Sequence, residues 1–425
     1  MTNRVTDSNG TVYNNVANLV FTEQVNTESQ LKPGAVCAGC IQFDLYNNDG
    51  ETISMDTELT YYQVDENDNA TLIGTFIVST VEQRRMKQVI TAYDNIIKLD
   101  HDFSRKLAQL QNSFPISANG FVRAACDVAG VEWDEVAFPL YDVEFQKFYA
   151  DKISCRQIIS WVAEIACCFV KCNSNGKLSL KWYTENEDYH IYPTSGESPE
   201  DETYVFYKLN GLAYSGKVSS AVEIVKINLD DSAENIYYYP SEFTQAYAED
   251  TSGNGDLRLY HFTATDTGDT TYGDIILQNS MLYTFDTTGE GNLSVLENQE
   301  YVRLYEITDN LLLRNANDST LEVISKHLYD ELNAFPVFRN TQVDLFMFFN
   351  PFRAGEIARI TDIRDLSYVF PIMKMEFGNG VARLSTDDLY GNSNYKISDD
   401  HYPFIPLNSS EMITDDDKVF YSLRS

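Results

Sequence analysis

The side chains of this sequence that could perform chemistry match no complete catalytic motif. The sequence holds five histidines but neither an HExxH zinc motif nor a GxSxG serine-nucleophile motif. A glycosidase needs two carboxylates at a defined separation, one of them with a raised pKa. No pair among the 64 acidic residues is distinguished by an apolar setting. The sequence therefore predicts no catalytic residue, no cofactor-binding residue and no metal ligand, and hence a protein that is not an enzyme.

Two motifs partly resemble metal sites. Cys37 and Cys40 form a CxxC motif, but no second pair or histidine follows at zinc spacing, and a strand rather than a helix follows. We interpret the seven cysteines as reduced, small apolar side chains. The segment 250–256 resembles part of a calcium loop, although the twelfth position of an EF-hand counted from Asp250 is His261 rather than Glu. A Gly/Asn turn is favoured there, and bound calcium stays an alternative.

Two aromatic clusters could form a recognition surface. Rows of aromatic side chains can stack on sugars or fill a protein interface, although alternate aromatics in a β protein more often pack in the core. The candidate interaction residues are Tyr237, Tyr238, Tyr239, Phe346, Phe348 and Phe349.

Composition excludes several classes of protein. The chain of 425 residues has 64 acidic and 31 basic residues, a formal charge of −33, which argues against binding to nucleic acid or to an anionic membrane. With 43% hydrophobic and 13% aromatic residues it is expected to fold. The N-terminus is polar, unlike a secretory signal, and the apolar run Ile158–Val170 is short and interrupted by Glu164. No membrane insertion is therefore expected.

The elements that would position these residues begin with a β region and continue with an α+β region. Alternation in 38–93 predicts strands at Ile41–Leu45, Thr60–Val64, Leu72–Val81 and Val89–Tyr93, which suggest a small barrel or sandwich. Ser117 is placed to cap a helix that Gly130 ends. Ser154 is placed to cap a second helix with apolar residues recurring as far as Phe169, and a strand follows at Lys177–Tyr183.

The second half of the chain is predicted to be mainly β. The acidic segment 184–203 is interpreted as a solvated linker or edge, with a binding face as an alternative, and 232–300 as an inserted β module rich in loops. Ser319 and Glu322 form a plausible capping box for a helix that ends at Pro336. Asn379-Gly380 predicts a hairpin turn. Strands are predicted at Tyr204–Tyr207, Ala221–Leu229, Leu257–Ala264, Gln342–Phe349, Ile357–Ile363, Ser367–Phe377 and Val381–Thr386, with a polar, extended tail after Tyr390.

Several motifs occur in an order that resembles a known family. They are Ile73-Gly74-Thr75-Phe76-Ile77-Val78, Val89-Ile90-Thr91-Ala92-Tyr93-Asp94, Ile153-Ser154-Cys155-Arg156-Gln157, Asn175-Gly176-Lys177-Leu178, Asn310-Leu311-Leu312-Leu313 and Ala354-Gly355-Glu356-Ile357-Ala358-Arg359-Ile360-Thr361-Asp362. Across residues 20–390 the sequence resembles the baseplate-hub or tail-associated proteins of long-tailed phages, the lineage of the T-even hub and of prophage tail endopeptidase-like proteins.

The resemblance implies a fold and a domain plan. The expected fold is α+β and β-rich, with two small β-barrel-like hub domains that form a ring in a trimer, an α+β domain and an inserted β module. The expected domains are hub domain I at 1–112, domain II at 113–195, hub domain III at 196–231 and 301–390, the insertion at 232–300 and a C-terminal tail at 391–425. Because only that tail follows domain III, no peptidase, lysozyme-like or glycan-binding domain is expected on this chain.

The resemblance also implies partners and a location. The expected protein is a homotrimeric adaptor of the virion tail tip, assembled in the bacterial host cytoplasm, that closes the DNA conduit until ejection. Its partners would be the distal tail or tail tube protein, the end of the tape-measure protein and tip or receptor-binding proteins, while genome DNA would pass without specific binding. Residues 184–300 hold a disproportionate share of the acid, which could repel DNA along a conduit or face outward. A receptor- or glycan-binding tip protein and a cell-wall hydrolase stay as alternatives.

Overall fold

The computed structural model describes most of the chain, and it is rich in β-strands with few helices, as predicted. The described residues are 2–26, 31–46, 50, 52–65, 68–192, 205–218, 224–228, 235–238, 246–249, 257–264, 270–278, 281–286, 294–295, 300–301, 304–336, 338–347, 349–361, 367–386, 412–415 and 418–422.

The N-terminal region forms an antiparallel run of strands, and the four strands predicted in 38–93 are all present. The strands are β1 Thr2–Asp7, β2 Val12–Tyr13, β3 Val16–Gln24, β4 Cys40–Tyr46, β5 Glu58–Val64, β6 Ala70–Arg84 and β7 Lys87–Tyr93. Their order in the sheet is β2-β1-β5-β6-β7-β4-β3. Alternation is clearest in β7, where Gln88, Ile90 and Ala92 are buried and the residues between them are not.

A helical unit, residues 95–183, follows the first strands. Its elements are a 3₁₀ helix Asn95–Asp100, α1 Ser104–Leu110, β8 Ile116–Ser117, α2 Ala118–Ala129, β9 Glu144–Phe145, α3 Cys155–Ile165, β10 Phe169–Cys172 and β11 Leu178–Lys181. The predicted caps are confirmed. The Ser117 side chain accepts from the Gly120 amide, Ser154 accepts from the Gln157 amide, and Gly130 ends α2 in the left-handed conformation with φ 65°.

Helix α3 is shorter than its apolar periodicity suggested. It ends at Ile165, and Cys167 adopts a left-handed conformation with φ 51°. This breaks the helix, so Phe169, which was expected on its apolar face, lies instead in β10 opposite Lys181. The prediction was wrong because consecutive apolar residues fit a buried helix and a buried strand equally well.

The second half of the chain contributes strands to two sheets. The strands between β11 and the last helix are β12 Thr184–Tyr192, β13 Val205–Val218, β14 Ile224–Asn228, β15 Asn235–Tyr238, β16 Ala246–Glu249, β17 Leu257–Ala264, β18 Thr270–Gln278, β19 Met281–Asp286, β20 Ser294–Val295, β21 Glu300–Tyr301 and β22 Leu304–Ile307. Strands β14 to β22 form a nine-stranded sheet that spans the predicted insertion with one strand on either side.

After a 3₁₀ turn, Leu313–Asn315, the long helix and the closing strands follow. They are α4 Asp318–Ala334, β23 Arg339–Phe346, β24 Glu356–Thr361, β25 Ser367–Pro371, β26 Lys374–Gly378, β27 Val381–Ser385, β28 Met412–Asp415 and β29 Lys418–Ser422. Asn379 and Gly380 both have positive φ, 52° and 77°, and join β26 to β27 as the predicted hairpin turn.

The N-terminal and C-terminal strands form one continuous sheet. Strand β3 pairs antiparallel with β26, with Phe21 opposite Phe377, and the order continues β26-β27-β23-β13-β12-β24-β25. Among the strands that the structure describes no closed barrel is found, so the two predicted barrel-like domains are instead parts of an open sheet. Pairing satisfies the backbone groups of β3 and β26 that separate sheets would have left at an edge.

Four further predictions are corrected. The acidic linker contains β12, which runs parallel to β13 and β24 and buries Ile191. The single strand expected at 367–377 is two strands, β25 and β26. In the expected tail, β28 and β29 pair with each other antiparallel, and β29 also pairs with β13. The cap of α4 is Asn317, two residues before the predicted cap Ser319, because its side chain accepts from the Thr320 amide at 2.8 Å.

Candidate functional site at a three-way junction

Three distant segments of the chain meet at the carboxyl group of Glu23. Glu23 lies on β3, Lys171 on β10 and Arg353 just before β24. The Lys171 Nζ atom is 3.1 Å from Glu23 Oε2 and also donates to the Ala354 carbonyl at 2.9 Å. Arg353 Nη1 lies 3.7 Å from Glu23 Oε1, and the Ala354 amide donates to Glu23 Oε2 at 3.3 Å. One carboxylate thus connects the N-terminal strands, the helical unit and the C-terminal strands.

The Glu23 carboxyl group is stabilised in its charged form. Its side chain is only 12% exposed. Burial acts to raise its pKa, but the charges of Lys171 and Arg353, with the hydrogen bonds from Lys171 and the Ala354 amide, outweigh burial and hold the pKa below the usual value. The Arg353 guanidinium also lies 5.2 Å from the centre of the Phe21 ring. The arrangement is suited to holding three segments together rather than to proton transfer.

A second contact fixes α3 to the 3₁₀ helix Asn95–Asp100 and to the segment 31–36. The Arg156 guanidinium donates to Asp100 Oδ1 at 2.6 Å, to the Val36 carbonyl at 2.8 Å and to the Ile96 carbonyl at 3.1 Å. The fixed fork of a guanidinium can serve three acceptors at once, which an ammonium group would do less well. Arg156 therefore connects α3 to both of these segments.

The backbone of residues 34–36 passes unusually close to the helical unit. The Gly34 amide donates to the Cys168 carbonyl at 2.7 Å, and Ser160 Oγ donates to the Gly34 carbonyl at 2.7 Å. Gly34 has φ 89°, and a Cβ atom there would lie 2.9 Å from the Cβ atom of Glu164. Glycine is needed at this position both for its conformation and for the close approach.

An aromatic cluster joins the helical unit to the end of α4 and to the residues just before β24. The Tyr183 ring lies 5.2 Å from that of Phe169 and 5.3 Å from that of Phe335, both edge-on. Gly355, with φ 93°, packs so closely on Phe169 that an added Cβ atom would lie 2.4 Å from its Cζ atom. Apolar contacts and ion pairs therefore hold this junction together.

None of the predicted interaction residues in the described part of the chain takes part in the junction contacts given above. Tyr237 and Tyr238 lie on β15 of the nine-stranded sheet, and Tyr239 and Phe348 lie outside the described residues. Phe346 ends β23 in the other sheet with 67% of its surface exposed, and Phe349 is half-buried. The structure thus places Tyr237 and Tyr238 in one sheet and Phe346 in another.

Sequence reasoning missed the junction residues. One signal was present, because Glu164 interrupts an otherwise apolar helix and Lys171 interrupts an apolar strand, and a charge inside such a run needs a partner. The identity of the partners, 148 residues from Lys171 in the case of Glu23, could not be read from the sequence.

The cysteines have the environment of buried apolar side chains. All seven are free, and five of them are buried. Burial raises the pKa of both Cys37 and Cys40 to about 11, so these thiols stay protonated at neutral pH, in contrast to the thiolate of a redox CxxC site.

The described part of the chain holds neither a metal-binding cluster nor a membrane-spanning helix. No group of three His, Cys, Asp or Glu side chains there could hold a metal ion, and the calcium-like segment 250–256 lies outside it. None of the helices in that part is both long and apolar enough to cross a membrane.

Comparison with known proteins finds similarity in structure and not in sequence. No protein-family model matches the sequence, and no curated protein matches it. A 43 kDa tail protein of prophage MuSo2 from Shewanella oneidensis has a TM-score of 0.44 and 8% identity, covering 90% of this chain and 96% of that one. A prophage tail protein from Listeria monocytogenes EGD-e also has a TM-score of 0.44, with 10% identity, covering 92% of this chain and 95% of that one.

A chain of the phage P2 baseplate in its activated conformation is similar at a TM-score of 0.27 and 9% identity, covering 88% of this chain and 89% of that one. Identities and TM-scores of this size describe a distant likeness of fold, from which no activity is transferred. That likeness is to phage tail and baseplate proteins, as the sequence resemblance predicted.

Proposed function

We propose that this chain is a structural hub protein at the tip of a phage tail. In this proposal it is a homotrimeric adaptor that joins the hexameric tail tube or the distal tail protein to the tip and closes the DNA conduit until ejection. The ordered motifs of residues 20–390 support it from the sequence side. The pairing of β3 with β26 supports it most directly from the structure.

The reason is one of symmetry. A trimer can match a sixfold partner only if each chain supplies two β regions in a fixed relation to each other. Strand pairing between β3 and β26, reinforced by the buried Glu23 junction, makes the N-terminal and C-terminal strands one rigid body. A flexible connection would not maintain the repeat around a ring.

The further partners in this proposal are the tape-measure end and the tip or receptor-binding proteins. The side chain of Phe346, exposed at the end of β23, is the strongest of the proposed contact residues, because large exposed apolar side chains favour burial at an interface. Tyr237, Tyr238, Tyr239, Phe348 and Phe349 stay proposed contact residues. DNA would pass an acidic protein without specific binding.

The proposal is tested on the assembled particle. An antibody against this chain, visualised by gold labelling in electron micrographs of purified virions, is expected to mark only the tail tip. Labelling of the capsid, or along the tail shaft, would overturn the proposal.

Two measurements on the purified chain separate the alternatives. Muralytic activity in a zymogram would favour a cell-wall hydrolase, and specific adsorption to host cells would favour a receptor-binding protein. A hub is expected to show neither, and its subunits are expected to appear three to a ring in reconstructions of the tip.

A further inference from the structure

The carboxyl group of Glu164 on α3 lies where the helical unit meets β22, the last strand of the nine-stranded sheet along the chain, and the residues that follow it. We propose that this carboxyl is a proton-controlled latch: in its neutral form it holds α3 to the segment 304–312, and in its ionised form it loosens that contact. The inference concerns contacts within one chain, and it stands independently of the hub proposal.

The geometry of a latch is present. Tyr305, on β22, donates its hydroxyl to Glu164 Oε1 at 3.2 Å, and Asn310 Nδ2 donates to Glu164 Oε2 at 3.0 Å. The same Asn310 amide donates to the Trp161 carbonyl at 3.0 Å, and its Oδ1 atom accepts from the Leu312 amide. Asn310 is 3% exposed. The side chain of Glu164 is therefore part of a polar network, half-buried at Glu164 and buried at Asn310, that spans both segments.

A proton can reach the carboxyl group. Glu164 lines a cleft of about 340 Å³ between α3, the segment 31–36 and the residues that follow β22. Ser160 and Arg156 lie on the same helix, and Lys32 faces the cleft from the segment 31–36. Glu306 and Asp309 face it from the end of β22 and the following turn. His327, on α4, contacts the Ala166 carbonyl beyond the end of α3.

Burial of the Glu164 side chain disfavours its ionised form. Burial raises the pKa of its carboxyl group to about 7, and repulsion by Asp309 acts in the same direction. The hydrogen bonds from Asn310 and Tyr305 and the charge of Lys32 act in the other direction and are outweighed. When the group is neutral, its hydroxyl can donate to the Tyr305 oxygen while the other oxygen still accepts from Asn310, so the network is kept.

The sign of the pH effect follows from linkage. In an opened state the exposed carboxyl would titrate near the ordinary value of 4.5, while in the closed state it titrates near 7. The closed state therefore gains stability from this group below about pH 4.5, and loses that gain as the pH rises to 7. The equilibrium for opening should rise roughly tenfold per pH unit in this window, by about 300-fold in all, and then level off.

Hydrogen exchange of the full chain, followed by mass spectrometry, tests the latch. Protection of the amides in 304–312 is measured from pH 5 to pH 8 and corrected for intrinsic exchange rates, under conditions in which closing is faster than exchange. The wild type is expected to lose protection up to about pH 7 and to level off above it. Glu164→Gln, which keeps a neutral donor and acceptor in place, is expected to remove the pH dependence.

Two further variants make the result decisive. Glu135→Gln makes the same chemical change at an exposed position and should leave the wild-type profile unchanged. Asp309→Asn removes a repulsive charge, which lowers the pKa of Glu164. The loss of protection should then level off at a lower pH, and its total size should be smaller. An unchanged pH dependence in Glu164→Gln would overturn the latch. Should that variant not fold, an unchanged profile in Asp309→Asn would overturn it equally.

Discussion

Two glutamates at different contacts of the helical unit, Glu23 and Glu164, use the same functional group in opposite ways. Glu23 is paired with Lys171 and Arg353, and its pKa is lowered. Glu164 accepts hydrogen bonds from the neutral side chains of Tyr305 and Asn310, and its pKa is raised to about 7. Burial disfavours the ionised carboxylate at both sites, so the neighbouring groups decide whether the carboxyl group keeps its charge.

The two contacts of the helical unit are therefore expected to respond differently to pH. The Glu23 carboxyl group keeps its charge at neutral pH, because its pKa is held below the ordinary value. The proposed Glu164 contact, in contrast, changes strength between about pH 4.5 and pH 7. The helical unit thus contacts the continuous sheet through a carboxylate that stays charged at neutral pH. Its contact with β22 and the residues that follow depends on pH.

The largest effect is expected from removing a cation beside Glu23. Lys171→Met leaves a buried carboxylate with only the more distant Arg353, which should lower the free energy of unfolding by about 3–5 kcal/mol. Denaturant unfolding followed by tryptophan fluorescence measures it, because all three tryptophans, Trp133, Trp161 and Trp182, lie in the helical unit. The double variant Glu23→Gln/Lys171→Met should recover much of the loss, and a double variant as unstable as the single one would contradict the ion-pair interpretation.

Alanine in place of Gly355 or Gly34, two glycines that pack closely on their neighbours, should lower the free energy of unfolding by different amounts. Gly355→Ala meets the fixed ring of Phe169 and should cost about 2–4 kcal/mol, whereas Gly34→Ala meets the Cβ atom of Glu164 at a longer distance and should cost less. Gly130→Ala is the matched control, since Gly130 also has positive φ but has no neighbouring atom within 4 Å. Its loss, about 1 kcal/mol, gives the backbone contribution alone. Equal losses at all three positions would remove the steric argument.

The pH dependence of stability should separate the two glutamates. Because the pKa of Glu164 is raised, it contributes up to about 3 kcal/mol that is present below pH 4.5 and lost as the pH rises to 7. Because the pKa of Glu23 is lowered, its contribution is present above pH 4.5 and is lost as the pH falls further. Urea unfolding from pH 3.5 to pH 8 should show Glu164→Gln flattening only the upper window and Glu23→Gln only the lower. Overlapping profiles would refute the comparison.

The smallest effect concerns single amide donors. Asn310→Ala removes the donor to Glu164 and to the Trp161 carbonyl and should lower the free energy of unfolding by about 1–2 kcal/mol. Asn95→Ala removes one partly buried bond to the Gly176 carbonyl, at 2.8 Å, and should cost about 1 kcal/mol. The same denaturant assay compares them, and a larger loss at Asn95 would show that the Glu164 network is less important than its geometry suggests.

Local patterns predicted much of the secondary structure. Alternation of apolar and polar residues predicted β4 to β7. The capping residues Ser117 and Ser154 predicted the starts of two helices, and Asn379-Gly380 predicted a hairpin turn. Predictions failed where tertiary context overrides a local pattern. The acidic segment 184–192 reads as a linker, yet it forms a strand because β13 and β24 offer it backbone partners on both sides.

The candidate site was less predictable than the fold. The sequence singled out aromatic clusters, whereas the junction is built from Glu23, Lys171 and Arg353, three charged residues in unrelated segments. Among 64 acidic residues the few that are buried do not stand out in the sequence, because burial is a property of the packed chain. Only the interruption of apolar runs by Glu164 and Lys171 carried a local signal.

The sequence by itself determined the β-rich class, the main helix caps and turns, the protonated thiols expected of buried cysteines, and the order of motifs that resembles phage tail hubs. These depend on propensities and spacing over a few residues. The tertiary structure alone decided that β3 and β26 join two regions into one sheet, and which carboxylate keeps its charge. Both depend on groups brought together across hundreds of residues, where the local dielectric and the nearest cation, rather than the residue type, fix the energy.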